Sequence, residues 1–81
     1  MNQKIIDYYI DNMSIQDARR IARSYGGDFT LAEASVIVPF IKSHKKYLKK
    51  ENKEYLLAEI KKVVSPTTYD KIVVMTNRFL K

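Results

Sequence analysis

The two glycines of this chain, Gly26 and Gly27, stand side by side, and a helix-starting signature begins just beyond them. Thr30 is followed three positions later by Glu33. That is the spacing of a capping box, in which the threonine hydroxyl accepts the N–H of residue 33 and the glutamate reaches back to the N–H of residue 30. Glycine takes the left-handed conformation that closes a preceding helix without a Cβ penalty. The joint therefore predicts one helix ending and another starting in close succession, with the first packed against the second.

The second of these helices opens the most apolar run of the chain. Leu31, Ala34, Ile37, Val38 and Ile41 recur at helical spacing, and Val36 and Phe40 widen the stripe. Pro39 sits inside it. Its ring crowds the carbonyl of Ser35 and it has no N–H to bond back, so the third helix is expected to kink there. Then come Lys42, Lys45, Lys46, Lys49, Lys50 and Lys53. On one unbroken helix they would make four like-charge pairs at i, i+4, a penalty of about 1–2 kcal/mol at low salt. A break between about His44 and Glu51 avoids this, with Asn52 capping a fourth helix. Whether the third and fourth helices run on through the lysines is left open by the pattern.

Upstream, residues 2–12 read as a helix with Ile6, Tyr9, Ile10 and Met13 on one stripe. Ser14 starts the second helix, with Asp17 in its first turn and Ala18, Ile21, Ala22 and Tyr25 facing inward. Its arginines, Arg19, Arg20 and Arg23, suit phosphate or the carboxylates of Asp7, Asp11 and Asp17 equally, because the guanidinium fork fits both. Downstream, the fourth helix is expected over about Asn52 to Val64, with Leu56, Ile60, Val63 and Val64 inward. Ser65 and Pro66 then supply an N-cap and a first-turn proline for a fifth, with Ile72, Met75 and Phe79 on its stripe.

The order helix, Gly-Gly-Asp-Phe, helix permits a helix-turn-helix. The second helix would then have to present base-reading side chains at its start. It presents Leu31, Ala32, Glu33, Ala34 and Ser35, none of them the arginine, asparagine or glutamine that makes bidentate base contacts. Sequence-specific DNA binding is not supported. Asp7 and Asp11 share a face but have no third ligand near them in sequence, and His44, the single histidine, has no catalytic or metal-binding partner there.

A chain of 81 residues makes one domain, spanning 1–81. It has no cysteine, so neither a disulfide nor a thiolate metal site is available, which fits a cytoplasmic setting. Its N-terminal stretch carries Asp7 and Asp11 and no long apolar core, unlike a signal peptide. The apolar run from Ala34 to Ile41 is too short to span a bilayer. The net charge of +6 is unevenly placed: residues 1–40 carry −1 and residues 41–81 carry +7. Such asymmetry points to a solvated basic face or to an anionic partner.

Tyr25 ending a helix, the run Thr30-Leu31-Ala32-Glu33-Ala34, the stretch from Ile60 to Thr68 opening a last helix, and Asn77-Arg78-Phe79-Leu80 closing it resemble the YqfT-like family of small helical proteins of Gram-positive bacteria. The likeness covers roughly residues 14–81 and implies a helical domain; it carries over no functional residue.

The expected fold is all-α, a compact bundle of four to five short helices with the third kinked at Pro39. With no phosphate loop, metal-ligand cluster or nucleophile–base pair in view, the chain reads as a non-enzyme without cofactor or metal. The leading expectation is a cytoplasmic protein–protein interaction module. Six tyrosines and three phenylalanines exceed what a small core holds, so self-association is expected. The alternative is sequence-independent nucleic-acid binding through Arg19, Arg20, Arg23, Lys42, Lys45, Lys46, Lys49, Lys50 and Lys53.

Overall fold

A computed structural model describes residues 3–79, and side chains from Asp7 to Arg78. The inward positions expected for Ile6 and Phe79 therefore lie outside the described residues, as do Leu80 and Lys81. Five α-helices follow in order: α1 (Gln3–Asp11), α2 (Ile15–Ser24), α3 (Leu31–Ser43), α4 (Lys53–Ile60) and α5 (Pro66–Phe79). Two 3-10 turns, Lys45–Tyr47 and Lys50–Asn52, separate α3 from α4, and no strand occurs among the described residues. The lysine stretch is thus broken into short turns.

Local chemistry sets each boundary. Ser14 and Asp17 form a capping box at the start of α2, and Thr30 and Glu33 form one at the start of α3. Between them, Gly26 takes φ +85°. Its N–H donates to the carbonyl of Arg23 at 3.0 Å, and that of Gly27 to Ala22 at 2.8 Å. These two bonds make a Schellman motif. A Cβ at Gly27 would collide with Met75 Sδ, so α5 approaches the joint closely. Ser65 Oγ accepts the Thr68 N–H at 3.2 Å, which starts α5 behind Pro66.

Two expectations need correction here. Asn52 stands before α4 but its side chain makes no capping bond. It ends a 3-10 turn, with its own N–H bonded to the Lys49 carbonyl at 2.9 Å, and enters α4 from a nearly helical backbone rather than the extended one a capping side chain needs. And α4 stops at Ile60, short of Val64. The N–H groups of Lys62 and Val63 bond three residues back, a tightening of the last turn ahead of Pro66, whose ring disfavours a helical residue before it.

The core is assembled from α2, α3 and α4. Ala22, Phe29, Ala34, Val38, Leu56 and Ile60 are buried. The most extensive contact between elements is that of α2 with α3; α1 also packs on α3, and α4 on α5. Tyr9, Ile21, Tyr25, Leu31, Val36 and Val63, expected in apolar stripes, are exposed. On α3 itself, Leu31 and Val36 lie at the margins of the apolar stripe and stay in water. Helix α3 is continuous through Pro39. Pro39 and Ser35 both lie on the exposed side, which leaves the orphaned Ser35 carbonyl open to water. Among the described residues no helix is long and apolar enough to cross a membrane.

Candidate functional site

The nine basic residues singled out in the sequence differ in exposure and in partners. Arg19 is half-buried and donates through Nε to the Phe29 carbonyl at 3.0 Å, bracing the loop between α2 and α3. Arg20 pairs with Asp17 at 2.7 Å. The Ser14 N–H and hydroxyl, with Arg20 beside it, hold the Asp17 carboxyl below its ordinary range. Arg23 is exposed. Lys45 reaches across to Asp11 at 2.7 Å, tying the first 3-10 turn to α1; that hydrogen bond, aided by Asp7, holds the Lys45 ammonium above its ordinary range. Lys42 and Lys53 are half-buried. Lys46, Lys49 and Lys50 are exposed and make no ion pair among the described residues.

Aromatic rings gather beside these lysines. His44 stacks on Phe40 with ring centroids 4.0 Å apart and planes 17° from parallel. Its Nδ1 lies 2.9 Å from the Phe40 carbonyl and 2.8 Å from Ser43 Oγ. A carbonyl only accepts, so Nδ1 carries the proton. Tyr47, from the first 3-10 turn, and Tyr55, from α4, sit 5.3 Å apart and lie 6.4 and 6.5 Å from the His44 ring. Both are half open to solvent, at 45% and 46%.

A second feature is an open apolar cleft of about 700 Å³. Its walls come from Tyr8, Tyr9 and Met13 near α1, Ala18 and Ile21 of α2, Ile37, Val38 and Ile41 of α3, and Ile72 and Met75 of α5. Tyr8, Tyr9 and Ile21 are exposed at its edge, at 66%, 70% and 45%, with Arg19 and Arg20 alongside.

Glu33 is the most constrained titrating group. Its carboxylate accepts the Thr30 N–H at 2.8 Å, the Thr68 hydroxyl, and the Lys71 ammonium at 2.9 Å. The Thr30 N–H first, then Thr68 and Lys71, lower its pKa from 4.5 to about 2. This links the start of α3 to α5 and leaves the carboxylate without the freedom to accept from a base. Among the described residues no group of three or more His, Cys, Asp or Glu is placed to hold a metal ion.

The sequence pattern pointed to the lysines but not to Tyr47 and Tyr55. Their eight-residue separation across a helix break gives no periodic signal; two tyrosines flanking a lysine run were the available cue. Compared with protein-family models, curated proteins and solved structures, the chain matches none.

Proposed function

We propose that this chain is an interaction module that closes its apolar cleft by pairing with a second copy of itself. The observation that carries this is the cleft: Tyr8, Tyr9 and Ile21 stand exposed around a hollow of about 700 Å³ that runs into the core. The chain exposes 5661 Å², more than the roughly 5,000 Å² typical of a compact monomer of its mass. Exposed apolar surface contiguous with a core is what an interface covers. In the same reading Pro39 bends α3, whose Ile37, Val38 and Ile41 wall the cleft. The likeness to the YqfT-like family and a cytoplasmic setting belong to this proposal, and the role is one of binding, without a reaction.

Sedimentation equilibrium tests it. The chain of 9.5 kDa should sediment at about twice that mass in the micromolar range, and Ile21→Glu should return it to monomer with its helical circular dichroism intact, since that side chain is already exposed. Only monomer at high micromolar concentration refutes the pairing.

One observation favours a second reading, a sequence-independent nucleic-acid binder. The exposed Lys46, Lys49 and Lys50 share one stretch of chain with the exposed Tyr47 and Tyr55, the combination of point charges and stackable faces that nucleic-acid binders use.

A further inference from the structure

We infer that Tyr47 and Tyr55 form a stacking platform for unpaired bases, which makes single-stranded nucleic acid, in preference to duplex, the ligand of the basic turn; the inference rests on the second reading above. The two rings come from different elements, one on the 3-10 turn Lys45–Tyr47 and one on α4. They meet at 5.3 Å with planes 54° apart, so they present two inclined faces. The His44 ring, 6.4 and 6.5 Å from them, is stacked on Phe40 and hydrogen-bonded through Nδ1. Lys45, held by Asp11, pins the turn that carries Tyr47. These contacts restrain the turn that carries Tyr47 before a ligand arrives, which reduces the ordering cost of binding.

The charge around the platform suits a phosphate chain. The stretch 44–55 carries five lysines against Glu51 and Glu54. Lys45 is occupied by Asp11, and Glu59, farther along α4, is neutralised by Lys62 at 2.6 Å. Lys46, Lys49 and Lys50 remain exposed to meet phosphates. Lysine has no planar fork for reading bases, so it is indifferent to sequence. Stacking on tyrosine is equally tolerant, because every base has a π-face. In a duplex those faces are already covered by neighbouring base pairs, and only a single strand offers them. The lysines alone would not distinguish the two forms; the tyrosines do.

The test is fluorescence anisotropy on the full-length chain, with a labelled mixed-sequence single strand and the duplex of the same sequence, at low salt. The single strand should bind more tightly than the duplex. Binding should quench the intrinsic emission, which comes from tyrosine because the chain has no tryptophan. The double variant Tyr47→Leu, Tyr55→Leu should lower single-strand affinity by about fivefold to a hundredfold, the range for losing a stacked base, and should leave duplex affinity unchanged. Circular dichroism would check its fold. The triple variant Lys46→Gln, Lys49→Gln, Lys50→Gln should weaken both forms and reduce the single-strand salt slope by about 2, at roughly 0.7 per phosphate contact. Equal binding of both forms, with no effect of the tyrosine changes, overturns the stacking inference while the electrostatic reading survives. No binding of either form at tens of micromolar protein overturns both.

Discussion

Glu33 shows how one side chain serves two scales of contact. Its backbone partner Thr30 is three residues away, and its partners on α5, Thr68 and Lys71, are 35 and 38 residues away. The first bond was legible from spacing alone, because a capping box is a local motif. The others were not, since nothing in a sequence marks which distant hydroxyl or ammonium will meet a carboxylate. The energetic consequence is pH dependence. The folded pKa is lowered from 4.5 to about 2, so the contribution is fully present above about 4.5 and is lost as pH falls towards 2. For a group this shielded it is on the order of 2–3 kcal/mol. Urea denaturation from pH 7 to pH 2 should show stability declining below about pH 4.5. In Glu33→Gln that part of the decline should vanish, and the protein should already be weaker at neutral pH. Thr30→Ala removes only the cap hydroxyl and should cost about 1 kcal/mol, read as a lower urea midpoint.

At the scale of elements, helix starts were readable and helix margins were not. Ser14, Thr30 and Ser65 each stand where a helix begins and each side chain bonds the N–H three residues on. Asn52 has the right residue type yet makes no such bond, because the preceding 3-10 turn already sets its backbone. Periodicity marked α3 as apolar but not how much of it would be covered; Leu31 and Val36 stay exposed because that depends on where the other helices lie. Pro39 belongs to this scale too. It sits exposed within α3, so Pro39→Ala restores the missing bond to Ser35 without a clash. Interior proline costs a helix about 3 kcal/mol, offset in part by the stiffness it gives the unfolded chain. Thermal denaturation should show a higher midpoint. An unchanged or lower midpoint would mean that the packing of the helices depends on the proline ring.

At the scale of the whole molecule, the all-helical make-up of the described residues was legible, but neither the apolar cleft nor the tyrosine pair was: the cleft draws on elements distant in sequence, and the pair forms across an irregular break that no periodicity marks. The Gly-Gly joint has a consequence in time as well as in space. It confines the most extensive helix–helix contact to neighbours in the chain, α2 and α3, and contacts local in sequence form early in folding. The link from Glu33 to α5 closes a much longer loop and should form after the main barrier. Damage to the two should then appear in opposite arms of a chevron plot. Thr30→Ala should slow refolding by about threefold, with most of its roughly 1 kcal/mol already expressed at the barrier. Lys71→Met should leave refolding nearly unchanged and accelerate unfolding. An α2–α3 hairpin of this kind would set how quickly each newly made chain escapes its aggregation-prone open state, and the α5 clasp how long it then stays closed.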